Sequence, residues 1–167
     1  MVADIEKAFL QVGLQDSERD VTRFFWIKDT KRPSLFSNNI EIYRFCRVPF
    51  GIISSPFLLS ATIEAHLIAY DTKLSEQLKH DIYMDNIITG ASSDEQAVDL
   101  YKEAKSMFKD ASMNLREWSS NSEKVNSFIP EVDRSTETET KFLGHVLDIK
   151  SDILSVKSVC SNINRFH

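Results

Sequence analysis

Cysteine, proline and glycine are all scarce in this chain of 167 residues, at two, four and four. Two cysteines, Cys46 and Cys160, make neither a disulfide framework nor a zinc pattern, which fits a reducing, intracellular setting. Long hydrophobic runs are missing as well. The apolar stretches 56–60 and 87–88 fall far short of the ~20 residues that span a bilayer, so no membrane partner is expected. No secretory signal opens the chain, because Asp4, Glu6 and Lys7 follow Met1 at once. Positive charge is short: 20 Lys and Arg stand against 25 Asp and Glu, a net charge of -5 with a pI near 5.4. That balance argues against a large phosphate-binding surface on these residues alone. What is present is ordinary for a globular domain, 42% hydrophobic and 27% charged, in a length that buries one core.

Residues 1–12 read as a strand running into a turn, and a chain that opens on a strand, with neither cap nor loop before it, is expected to be a piece of a longer one. Residues 15–20 read as a polar turn or short helix. Aromatic and β-branched residues predict a strand over 21–28. Pro33 and two asparagines mark 29–39 as a hairpin loop, and Ile40, Ile42, Tyr43, Phe45 and Val48 predict a strand over 40–48. Ser55 before Pro56 supplies an N-cap and a proline at the first helical position, predicting a helix to about Thr72. A short apolar hairpin follows over 81–90. Ser92 or Ser93 caps a second helix, with Glu95 or Gln96 three residues on to close a capping box. Its apolar face is Ala97, Tyr101, Ala104, Phe108 and Ala111. Residues 129–140 are polar and predict a mobile loop; 141–149 and 153–156 predict a last hairpin. The class is α+β, an antiparallel sheet with helices packed on one face.

Asp4 and Asp85 each sit among apolar strand residues, where a carboxylate is costly unless something pairs with it. If their strands lie side by side, both reach one point. Two such oxygens suit Mg²⁺, which takes one or two carboxylates plus substrate phosphates. A pair of these ions activates an attacking hydroxyl and stabilises the leaving oxygen in phosphoryl transfer. Taken singly, each aspartate is also an ordinary turn former or cap.

Tyr83-Met84-Asp85-Asn86 resembles the Tyr-x-Asp-Asp box of reverse transcriptases, and its surroundings keep that family's order. Asp4-Ile-Glu-Lys-Ala-Phe-Leu-Gln11 resembles the first palm motif and Val48-Pro-Phe-Gly-Ile-Ile-Ser-Ser-Pro56 the second. Met113-Asn-Leu-Arg-Glu-Trp118 resembles the fourth, and Phe142-Leu-Gly144 the fifth, the primer grip. The wording of 5–11 and 112–117 is similar to the Pao/BEL class of long-terminal-repeat retrotransposons. The resemblance implies a reverse transcriptase palm over 1–158, with a partial fingers insertion at about 13–45 and a truncated tail at 159–167. It implies RNA-directed DNA synthesis by two-metal nucleotidyl transfer with Mg²⁺ or Mn²⁺. The implied partners are RNA or DNA template-primer, deoxynucleoside triphosphates, and the remaining fingers, thumb and ribonuclease H parts of a polyprotein, in the cytoplasm or a virus-like particle.

Residue by residue, the resemblance makes Asp4 and Asp85 metal ligands, with the backbone carbonyl of Ile5 as a further one and Asn86 beside them. Phe9 lies beneath the incoming sugar as a steric gate, and Phe50 and Gly51 lie near the nucleotide and template. Tyr83 and Met84 support the primer end, Leu143 and Gly144 grip its backbone, and Lys124 is the candidate general acid. Read without the motif, Phe9 is a core phenylalanine and Gly51 a turn glycine, although a glycine also permits close backbone approach to a ligand. Trp118 and Phe142 read as core, and the four histidines as too scattered for a metal site. Asn86 departs from the family, standing where most relatives carry a second aspartate, which removes one negative charge. The alternatives to a polymerase are a catalytically inactive remnant of a mobile element and a non-enzymatic nucleic-acid-binding module. The 167 residues alone are expected to polymerise poorly.

Overall fold

Strand β1 (Val2–Ile5) lies at the centre of the molecule's main sheet and carries the first candidate carboxylate. The computed structural model describes residues 1–137, 139–142 and 145–156. After β1 come a helical turn α1 (Ala8–Gln11), a 3-10 segment (Asp16–Thr22), and strands β2 (Arg23–Ile27) and β3 (Ile40–Arg44). Helices α2 (Ser55–Tyr70) and α3 (Lys73–Asp81) lead to the short strands β4 (Ile82–Tyr83) and β5 (Asn86–Ile88). Helix α4 (Asp94–Asp110), strand β6 (Leu115–Ser119) and helix α5 (Glu123–Phe128) precede β7 (Glu139–Phe142), β8 (His145–Asp148) and β9 (Ile153–Ser155).

The main sheet is antiparallel in the order β4-β5-β1-β6. Side chains alternate across a strand, so its two faces differ. Ala3, Ile5, Ile87 and Leu115 point to one face and pack into the main core with Leu59, Ile63 and Leu67 of α2, Leu78 of α3, and Ala104, Met107 and Phe108 of α4. Each large side chain removed from water there contributes about 1.5–3 kcal/mol. The other face carries Val2 and Asp4. At the Val2 end it is covered by Leu147 and Ile149, which form a second small cluster with Val2. The α+β class with helices on one face is therefore as expected. The β2–β3 ribbon forms a separate two-stranded sheet with Phe25 and Trp26 exposed.

Several local expectations change. The turn expected after β1 is helical, over residues 8–11, and begins where Lys7 in the left-handed region (φ 50°) breaks the extended run. Helix α3 was not expected. A reciprocal cap between Thr72 and Ser75 starts it, with serine in place of the usual glutamate or glutamine. Ser55 does not cap α2. Its hydroxyl donates instead to the Pro49 carbonyl at 2.6 Å, fastening the preceding loop to the helix. Ser93 caps α4 and accepts from Gln96 N–H, while the Gln96 side chain reaches Ser92 N–H rather than closing a box on Ser93.

Residues 129–137 are not the loose loop expected. Ile129 is fully buried, and Asp133 accepts from the Tyr101 hydroxyl at 2.8 Å and from the Lys105 ammonium. The polar composition misled because one of its acids is an internal partner of α4. Trp118 is fully buried, edge-on to Tyr101 at 5.2 Å between ring centroids. No helix among the described residues is long and apolar enough to cross a membrane.

Candidate active site

Asp4 stands directly opposite Asn86 on β5 and opposite Arg116 on β6. Residues paired across an antiparallel sheet share a face, so these three side chains form a row on the face away from the helices. Tyr83 and Asn86 close a two-residue turn made of Met84 and Asp85. The Ile5 N–H donates to the Asp85 carbonyl at 2.8 Å, which fixes this turn against the end of β1. The two candidate carboxylates are thus brought together. Burial holds the Asp4 carboxyl above its ordinary range, and the negative charges of Asp85 and Glu117 push it further up; Arg116 works against them.

Met84 adopts φ 58°. A two-residue hairpin needs a positive φ at this position, where glycine is usual. A methionine there stores backbone strain of about 1–3 kcal/mol, held because its side chain packs half-buried against the core. The Asn86 amide donates to Asp85 Oδ1 at 3.1 Å. Asparagine therefore restrains the neighbouring carboxylate, where a second aspartate would repel it.

The first and second motifs are joined as well. Val48 N–H donates to the Val12 carbonyl at 3.0 Å, and Arg47 Nη1 to the Gln11 carbonyl at 3.0 Å. Phe9 is buried, and the exposed ring of Phe50 covers it at 4.5 Å between centroids. Gly51 has φ 84° and open space where a Cβ would stand, so the turn needs glycine for its backbone conformation.

Tyr83 is exposed at the tip of the hairpin. Lys124 lies on α5 and pairs with Glu95 at 3.2 Å and Asp94 at 3.6 Å, at the head of α4; no described contact takes it to Asp4 or Asp85. Leu143 and Gly144, the expected primer grip, lie outside the described residues.

Three neighbours of Asp4 escaped the reading of the sequence. Arg116 and Glu117 are consecutive on β6, yet both act on Asp4. A β-bulge explains this: Val2 pairs with Ser119 and Asp4 with Arg116, so β6 carries one extra residue, and Glu117 has φ 53°. Glu6 accepts from the Asn114 amide at 3.0 Å, which holds its carboxyl below the usual range. Asn114 in turn accepts from Lys105 Nζ at 2.9 Å, tying the site to α4. The signal for Arg116 and Glu117 is their place in the fourth motif, but the sequence there carries no clear strand pattern, and a bulge leaves no mark in the alternation.

The donor chemistry fits a divalent cation such as Mg²⁺. Asp4 on β1 and Asp85 in the β4–β5 turn offer hard carboxylate oxygens, and Mg²⁺ is commonly held by one or two carboxylates plus substrate phosphates. Among the described residues no group of three or more His, Cys, Asp or Glu forms an all-protein cage, so substrate oxygens would have to complete the shell.

An antiparallel sheet backed by helices, with Asp4 on its open face and Asp85 in the adjoining turn, has the architecture of a palm-like domain. The family model described as reverse transcriptase (RNA-dependent DNA polymerase) matches residues 1–147. The chain belongs to that family. No individual curated protein matches it.

Proposed function

We propose that Asp4 and Asp85 are the metal-binding carboxylates of an RNA-directed DNA polymerase active site, and that the protein is the palm of a retrotransposon reverse transcriptase of the Pao/BEL type. The observation that carries this is the register that sets Asp4 beside the Met84-Asp85 turn, with the two charges close enough to couple. The Pao/BEL assignment rests on the wording of 5–11 and 112–117 alone. The substrates on this reading are deoxynucleoside triphosphates and an RNA or DNA template-primer. Further fingers, thumb and ribonuclease H segments of a polyprotein would act with it, in the cytoplasm or a virus-like particle, and the 13–45 segment would be part of the fingers.

Two bound Mg²⁺ or Mn²⁺ ions, held by Asp4, Asp85 and the Ile5 carbonyl, would supply activation of the primer hydroxyl and stabilisation of the leaving pyrophosphate oxygen. The chain's own residues do the positioning. The strained Met84 turn presents Asp85 at the edge of β1, Asn86 restrains its carboxylate, and Tyr83 and Met84 would support the primer end. Phe50 covers Phe9, so the two rings together would wall the sugar pocket, with Phe9 as the steric gate behind and Gly51 turning the loop. Positioning of this kind supplies roughly 7–11 kcal/mol of a barrier at best.

The test is primer extension on an RNA template by a chimera that carries this palm between the fingers and thumb of a related reverse transcriptase. Magnesium-dependent extension that Asp85→Asn abolishes is expected. Equal extension by Asp85→Asn removes Asp85 from the chemistry, and no extension by the parent chimera favours the inactive remnant.

A further inference from the structure

We propose that Arg116 is a resident counter-cation of the carboxylate site, which lowers its affinity for a free divalent cation; this rests on the metal-site reading above. The bulge in β6 sets the guanidinium among three carboxylates. Nε lies 3.5 Å from Asp4 Oδ2, Nη1 3.8 Å from Glu6 Oε1 and Nη2 3.4 Å from Glu117 Oε1. All three separations exceed the 2.7–3.2 Å of an ordinary N–H···O bond. Nε is buried and has no hydrogen-bond partner among the described residues. Elsewhere the chain makes tight pairs, such as Arg19 with Asp16 at 2.6 Å and Arg23 with Asp20 at 2.5 Å. Arg116 is therefore held by charge shared over three anions, without the paired, directional bonds by which arginine usually orients a carboxylate.

That distinction fixes the sign of its effect. A bidentate arginine would lock Asp4 in place and favour metal binding by orientation. A guanidinium that orients weakly acts chiefly through its charge, which repels a dication arriving at the same carboxylate. The local balance explains why the chain keeps it. Asp4, Glu6 and Glu117 all pair with this guanidinium, and Glu137 and Glu139 line the same small cavity as Asp4 and Glu117. Without Arg116 the metal-free site would hold like charges with nothing between them. With it, the site is partly neutralised at rest. A bare cation then gains less by binding, because it must share those carboxylates with the guanidinium.

The test is Mn²⁺ titration of the 167-residue protein, with free Mn²⁺ read by electron paramagnetic resonance. Arg116→Gln is expected to tighten Mn²⁺ binding roughly three- to tenfold, the worth of one partly screened charge. Arg116→Lys, which keeps the charge, should stay within about twofold of the parent. Arg116→Leu removes the charge while keeping an apolar stem, so a folding defect in one neutral variant is read through the other. The neutral variants should also melt lower than the parent without cation and regain the loss when Mn²⁺ is added. Unchanged or weaker Mn²⁺ binding in both neutral variants overturns the counter-cation role. Asp85→Asn separates the two claims: if it leaves parental Mn²⁺ binding intact, the metal-site reading itself fails.

Discussion

Asp133→Ala asks whether the polar segment after α5 is structural. Asp133 is 8% exposed and is the common acceptor for the Tyr101 hydroxyl and the Lys105 ammonium. Burial first, and then the bond to Asp133, push the Tyr101 phenol well above its ordinary range, which favours the neutral hydroxyl as donor. Truncating the aspartate removes the acceptor of the Tyr101 hydroxyl and the carboxylate partner of Lys105. A fully buried ion pair broken on one side costs about 3–5 kcal/mol, and an unsatisfied buried hydroxyl about 1–3 kcal/mol. The lysine term is discounted, because the Lys105 side chain is 26% exposed and keeps Asn114 Oδ1 and the Leu115 carbonyl as acceptors. The net expectation is a loss of about 3 kcal/mol, which for a domain of this size lowers the melting temperature by roughly 6–12 °C. Asp133→Asn, which keeps an acceptor, should lose about half as much. Urea unfolding followed by far-UV circular dichroism measures both, with the slope unchanged if the native and unfolded states stay as compact. A loss under about 0.5 kcal/mol for Asp133→Ala, the range of a plain surface change, would refute the reasoning and return 129–137 to a solvated loop.

Asp4→Asn should stabilise the fold near neutral pH. The folded protein holds the Asp4 proton more tightly than the unfolded chain does, so parental stability falls as pH rises from the ordinary carboxylate value, about 3.9, through the raised one. The advantage of the variant should therefore be full above that window and shrink as pH drops below it; a constant difference across pH 3–7 would contradict it. Asn86→Asp replaces an amide donor by a second negative charge beside Asp85. It should melt lower without metal, gain more than the parent on adding Mn²⁺, and hold or raise extension by the chimera; a large fall in extension would mean the site is adapted to the amide. Phe9→Ala in the chimera should admit ribonucleotides, with Phe50 left unsupported, and unchanged sugar discrimination would leave Phe9 a core residue only.

Much of this fold could be read from residue patterns. The α4 face was legible because Ala97, Tyr101, Ala104 and Phe108 recur at helical spacing, and all four are buried. Helix α2 was legible from Pro56. Elements whose cause lies outside the local pattern were not: α1 has four residues, too few for a period, and α3 starts on a serine-closed cap. Asp4 and Asp85 were suspect from their apolar surroundings and became a pair only through the order of the motifs. Arg116 was hidden because its role depends on a bulge, which is set by how β6 pairs with β1. Asp133 was hidden because a buried acid among exposed ones looks the same in sequence.

The most direct test of the central claim is paramagnetic relaxation by Mn²⁺ on the isotopically labelled protein. Substoichiometric Mn²⁺ should broaden the amide signals of Asp4, Ile5, Asp85 and Asn86 first, and Asp85→Asn should abolish that pattern. Broadening centred elsewhere, or the same pattern in Asp85→Asn, would contradict a cation shared by Asp4 and Asp85.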